Sequence, residues 1–156
     1  MKKSYWLAIS LFVVTILLAS CQSNDQELKV VTDERSEMAS EFVTDYKEKM
    51  VDAFDSGNFN ALEPYLITNN SFYHSLRRYI TDAPGEGQSK ELLSFEVDTV
   101  YENESGELFV DTAEKVLLTE RGVSQEIERD VRFELTRYDE GSIKIITIRN
   151  MSEKKE

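Results

Sequence analysis

The chain has 156 residues and a formal charge of −12, with 30 Asp and Glu against 18 Lys and Arg, and only one Cys, one His and one Trp. A single cysteine excludes an internal disulfide framework and a thiolate zinc cluster. The acidic surplus excludes a nucleic-acid binder, which needs excess Lys and Arg to neutralise phosphates, and the length suits one ordinary domain.

Residues 1–20 read as an address. Lys2 and Lys3 supply a positive start, and Leu7 to Leu18 is a nearly continuous apolar run that ends abruptly at Gln22-Ser23-Asn24-Asp25. A run of about a dozen residues is shorter than the ~20 that span a bilayer as a helix, which is signal-peptide anatomy. The sequence Leu18-Ala19-Ser20-Cys21 resembles the lipobox of bacterial lipoproteins. Leu18, Ala19 and Ser20 are the expected signal-peptidase recognition residues, and the Cys21 thiol is the nucleophile that takes a diacylglyceryl group, with an N-acyl chain as an optional addition. The alternatives are an ordinary secretory signal or an uncleaved anchor. Loss of residues 1–20 removes Lys2 and Lys3, so the remainder is two units more acidic than the whole. Residues 21–37 are polar and read as a flexible tether, part of which could extend the first helix.

From about Asp33 to Asp55, Met38, Phe42, Tyr46, Met50, Ala53 and Phe54 recur at helical spacing. Ser56-Gly57-Asn58 stops this helix, with Gly57 suited to a left-handed C-terminal cap. A short helix is expected over Asn60 to Leu66, with Pro64 near its first turn. Asn70 or Ser71 caps a third helix to about Thr81, with Phe72, Leu76, Tyr79 and Ile80 inward. Residues 82–87 (DAPGEG) break the helical half.

The period then changes to two. Phe95, Val97, Thr99 and Tyr101 alternate with Glu96, Asp98 and Glu102, a turn follows at residues 103–106, and a second strand runs from Leu108 to Leu118. Ile127, Val131, Phe133 and Leu135 alternate with Glu128, Asp130, Arg132 and Glu134, and Ile143 to Arg149 closes the series. Four strands joined by short turns make an antiparallel meander with one buried and one wet face. Helices followed by strands imply an α+β layer, the N-terminal helices packed on a curved four-stranded antiparallel sheet. The expected organisation is a signal at 1–20, a tether at 21–37, one domain at 38–150 and a charged tail at 151–156.

Gly57-Asn58-Phe59, Leu62-Glu63-Pro64-Tyr65-Leu66, Ser71-Phe72-Tyr73, Glu91-Leu92-Leu93-Ser94-Phe95-Glu96-Val97 and Val110-Asp111-Thr112-Ala113-Glu114 form a recognisable series. Through them the stretch from about Ser40 to Asn150 resembles the C-terminal domain of TcaA-type cell-envelope proteins. The resemblance implies a nuclear-transport-factor-2-like cone and a Gram-positive envelope setting. The zinc ribbon, membrane helix and further outer domains of TcaA-type proteins have no counterpart in the matching stretch, and a lipid on Cys21 is expected to take the place of the membrane helix.

Cone folds also host isomerases and dehydratases that use Asp, His and Tyr. The only histidine, His74, lies beside Arg77 and Arg78 in the third helix; the three form either an anion patch or a solvated helix face. Glu96, Asp98, Glu102, Glu126, Glu128, Asp130 and Glu134 alternate out of two strands and read as a wet face that discourages edge pairing, with a cation-binding or basic-partner surface as the alternative. Arg129 is in phase with Ile127, Val131 and Phe133 on the core side, where a buried arginine needs a carboxylate or an anionic ligand. Glu114 is a candidate partner; a bulge that returns Arg129 to solvent is the alternative. Tyr46 and Tyr101, with Tyr65, Tyr73 and Tyr79, are candidates to line a cone mouth or to be core. No metal-ligand spacing, phosphate loop or activated nucleophile is present.

The expected protein is therefore a membrane-anchored, extracytoplasmic, non-catalytic interaction module that needs no cofactor beyond its lipid. Its expected partners are the membrane, through the anchor, and an envelope protein or peptide. Direct docking on anionic polymers is disfavoured by the charge. The alternative is a small-molecule carrier or an isomerase- or dehydratase-like enzyme working in the cone pocket.

Overall fold

A computed structural model describes residues 27–152. Leu18, Ala19, Ser20 and Cys21 lie outside the described residues. The order is β1 (Lys29–Val30), α1 (Glu34–Ser56), a 3₁₀ turn over Phe59–Tyr65, α2 (Ser71–Asp82), a 3₁₀ turn over Ala83–Glu86, β2 (Gln88–Glu102), β3 (Leu108–Glu120), β4 (Val123–Arg137) and β5 (Ile143–Asn150). The five strands form one antiparallel sheet in the order β1-β2-β3-β4-β5. Helices pack on its inner face, so the α+β cone is the architecture, with five strands where the periodicity predicted four.

The additional strand comes from the stretch expected to be tether. Val30 pairs with Tyr101, the Val31 amide donates to the Val100 carbonyl at 2.9 Å, and the Val31 side chain is buried in the core. An apolar pair between Lys29 and Thr32 is too short for a periodicity to register. At the other end the Met151 amide donates to the Asp130 carbonyl and the Asp130 amide to the Ser152 hydroxyl, so the expected tail begins on the sheet.

Asp33 caps α1, its carboxylate accepting from the Arg35 amide at 3.0 Å. The buried face of α1 is Ala39, Val43, Tyr46, Lys47, Met50, Ala53 and Phe54. It is rotated by about one residue from the expected face: Met38 is 42% exposed and Phe42 is half-buried. Gly57 ends the helix at φ +72°. The following turn is 3₁₀ and not α-helical, and Pro64 stands near its end. Asn70 caps α2, accepting from the Tyr73 amide at 2.7 Å and donating to the Ile146 carbonyl at 2.9 Å. Tyr73, Leu76 and Ile80 point inward, whereas Tyr79 is 43% exposed.

Two bulges set the curvature and phase of β2, at Leu92/Ser94 and Val97/Thr99. Each extra residue bends the strand and shifts the side-chain alternation by one. Phe95 and Val97 face inward opposite Glu114 and Thr112, but after the second bulge Val100 takes the inner face opposite Val110. Thr99 and Tyr101, expected to continue the inner series, are thereby turned to the other face. Arg121 and Gly122, both with positive φ, form the two-residue turn that joins β3 to β4, the mirror-image turn whose twist matches a hairpin.

Candidate functional site

The inner face of β3 reads Val110, Thr112, Glu114, Val116, and that of β4 reads Phe133, Val131, Arg129, Ile127 in the opposite direction. Glu114 and Arg129 are therefore direct cross-strand neighbours, and Arg129 Nε donates to Glu114 Oε1 at 2.5 Å. Of the two arrangements left open for Arg129, the pair forms. Lys47 descends from α1 onto the same carboxylate and pairs with Glu114 Oε2. Both oxygens of Glu114 are thus occupied by cations, and its side chain is only 1% exposed.

Burial alone would push the Glu114 carboxyl up, but Lys47 and Arg129 together outweigh it and hold it below the usual carboxylate range. Burial pulls the Lys47 ammonium down, with Glu114 opposing. Tyr46, one residue before Lys47, is 1% exposed and wedged among Tyr65 and Phe133 at ring distances of 5.8 and 6.0 Å. Burial first, and then Glu114, push its phenol well above the ordinary tyrosine range. Its hydroxyl has no hydrogen-bond partner among the described residues.

These groups line a cavity of about 240 Å³ between the helices and the sheet. Tyr46, Lys47, Glu114, Arg129 and Asn150 form its polar wall, and Met50, Phe72, Leu76, Phe133 and Ile148 much of the apolar remainder. A second buried lysine stands nearby. Lys90 is 7% exposed, with Nζ bonded to the Tyr79 hydroxyl and lying over the Phe54 and Tyr79 rings at 4.3 and 4.7 Å. Burial, then the charges of Lys47 and Arg129, bring its pKa down to about 8.

The structure brings Tyr46, Glu114 and Arg129 together and leaves the other candidates elsewhere. His74, Arg77 and Arg78 are exposed on α2 and line no part of this cavity. His74 meets the Tyr73 ring edge-on at 5.4 Å, and Arg77 stacks over Phe59 at 5.7 Å. Tyr101 does not reach a cone mouth: the bulge at Val97/Thr99 sends it outward, where Arg132 lies over its ring at 5.5 Å. The outer face also carries the acids of the strands, tied into cross-strand pairs such as Arg132 with Asp111 and Lys115 with Glu126 and Glu128.

Sequence reasoning missed Lys47 and Lys90. Lys47 falls at i+4 from Val43 and three before Met50, so the helical phase contained it. Lys90 is in register with Leu92, two residues before the first bulge. In both cases the residue type outweighed the phase.

The family model for the TcaA protein NTF2-like domain matches residues 35–149. An uncharacterized protein of Alkalihalophilus pseudofirmus is 54% identical over 148 residues, 94% of this chain and 97% of that protein. The intermembrane space region of the chloroplast protein ARC6 superposes with a TM-score of 0.63 at 16% identity, covering 77% of this chain and 97% of the other. Aln2 from a Streptomyces species gives 0.53 at 15% identity over 78% of this chain and 93% of its own. A Catenulispora acidiphila structure in complex with S-DNPA gives 0.52 at 14%, over 73% and 92%. At such identities the solved structures show the shared fold.

Proposed function

The chain belongs to the TcaA NTF2-like domain family, and from that premise we propose that it is a lipid-anchored, extracytoplasmic module of the cell envelope that binds a ligand or partner through its cone cavity without catalysing a reaction. The observation that carries the binding role is the wall built by Lys47, Glu114 and Arg129. General acid–base catalysis needs a group whose pKa lies near the working pH. Glu114 is held as an anion by two cations, and the Tyr46 phenol is held as a neutral donor. Those two groups present fixed charge and a hydrogen bond but do not exchange protons at neutral pH, and Lys90, with a pKa of about 8, does not line the cavity. The one histidine stands outside the cavity. A neighbour of the same fold is in complex with S-DNPA, which is in line with ligand binding by this fold.

The anchor rests on Leu18-Ala19-Ser20-Cys21 behind a short apolar run. Two acyl chains hold a protein on a bilayer where one is marginal. Cys21→Ala is expected to abolish lipid labelling and release the chain from the membrane fraction; labelling equal to wild type would overturn the anchor. For the cavity, a photo-crosslinking residue at Phe72 is expected to capture a ligand or partner in the native envelope, while the same residue at Glu126 on the outer face captures none. Equal yields at both positions would remove the cavity from the function.

A further inference from the structure

The geometry points to a small amphipathic carboxylate as the occupant of the cone cavity, its anionic end against Arg129 and Tyr46 and its apolar part against Phe72, Leu76, Phe133 and Ile148. This rests on the binding role proposed above and specifies the ligand class. Four observations lead to it.

First, each Glu114 oxygen already faces a cation, Arg129 Nε on one and Lys47 Nζ on the other, so the one carboxylate of the wall is neutralised and offers no net charge to a cationic ligand. Second, Arg129 uses only Nε. Its terminal nitrogens make no hydrogen bond among the described residues, and its side chain is 33% exposed. A guanidinium carries five N–H donors in a planar fork that matches a carboxylate. Third, the Tyr46 hydroxyl is the one buried side-chain polar atom without a partner among the described residues, and Tyr46 lines the same cavity. A buried donor left unpaired is costly, and an acceptor that arrives with a ligand satisfies it.

Fourth, charge and shape select the class. Within the wall Lys47 and Arg129 outnumber Glu114, and Lys90 adds a further positive charge within electrostatic reach, offset in part by Asp55. The residues that line the cavity are therefore cationic in sum although the whole chain carries −12, with Glu96, Glu128 and Asp130 lining a separate groove on the far side of Arg129. Polyanions are repelled from the surface, whereas a small monoanion that enters the cavity meets attraction in a medium of low dielectric. One free guanidinium edge and one phenol suit a monovalent carboxylate better than a phosphate dianion. A volume of about 240 Å³ with mostly apolar walls accommodates a compact molecule with a short hydrocarbon or aromatic part.

The test uses the full chain in a non-ionic detergent and two probes of one shape, 3-phenylpropanoate and its neutral amide, followed through the methyl resonances of Leu76 and Ile148. The acid is expected to shift these signals saturably and to bind about tenfold more tightly than the amide, the margin of a charge-assisted hydrogen bond. Arg129→Gln is expected to erase that preference. Tyr46→Phe is expected to weaken acid binding by roughly threefold or more while raising the unfolding midpoint, because it deletes an unpaired buried hydroxyl. Equal, saturable binding of acid and amide would overturn the carboxylate assignment and leave the cavity-binding role standing. Failure of both probes to move the methyls would also overturn it, whereas the role itself stands or falls on crosslinking at Phe72. An undiminished preference in Arg129→Gln would sink the assignment of Arg129.

Discussion

Glu114 and Arg129 face each other across β3 and β4 on the inner side of the sheet, and Lys47 from α1 closes over the same carboxylate. The sheet and the helix layer are thus joined through one buried anion. Desolvation of such a cluster is costly, and its attraction offsets that cost only while the set is complete.

Removing one member should therefore cost more than removing the pair. Glu114→Gln leaves Lys47, 5% exposed, without a counter-charge, and is expected to lower unfolding free energy by about 3 kcal/mol or more. The double variant Lys47→Met with Glu114→Leu is expected to lose much less than the sum of the single variants. Denaturant titration of the wild type, Lys47→Met, Glu114→Leu and the double variant measures the coupling directly.

The acid limb of stability follows from the same carboxylate. Its folded pKa lies below the ordinary value, so Glu114 contributes stability above about pH 4.3, the unfolded value, and loses it as pH falls through the folded pKa. Unfolding midpoints between pH 6 and pH 3 should fall for the wild type. In Glu114→Gln that part of the slope should vanish.

Lys90 has the opposite consequence at high pH. Its folded pKa of about 8 lies below the unfolded value near 10.4, so between those values the unfolded chain holds a proton that the folded chain lacks. Its contribution to stability should rise with pH across that window, and at pH 7 the full penalty for burying the charge is present. Lys90→Met is expected to gain on the order of 2 kcal/mol at pH 7, after allowing for the lost Tyr79 hydrogen bond and ring contacts. It should also flatten the rise between pH 8 and 10, which chemical denaturation at fixed ionic strength would measure.

Gly57 links α1 to the turn that follows α2. Its φ is +72°, and a Cβ there would stand 3.2 Å from Pro84 Cγ. Gly57→Ala is expected to cost about 1–2 kcal/mol through backbone strain and this contact. A thermal midpoint unchanged within error would show that the cap and Pro84 relax freely.

Much of the fold was legible because its signals are local. The helix stop at Gly57, the cap at Asn70, the breaker at residues 82–87 and the alternation through β3 and β4 each depend on a few neighbouring residues, and the structure places them as expected. β1 was not legible, since Lys29 and Val30 become a strand only by pairing with Glu102 and Tyr101. The site was half legible. Arg129 and Glu114 declared themselves as charged residues in an apolar phase, whereas Tyr101 was lost to a bulge that leaves no mark in the alternation.

By itself the sequence determined the class of the domain, its helix-then-strand order, the likeness of residues 18–21 to an acylation site and the anomaly of a charged pair on the core face. These follow from period, capping and short-range composition. Only the tertiary structure decided that Lys47 completes the pair, that Tyr46 keeps a hydroxyl without a partner among the described residues, and that a cavity remains there. Those outcomes depend on strand register, on two bulges and on the rotation of α1 by about one residue, all fixed by long-range packing.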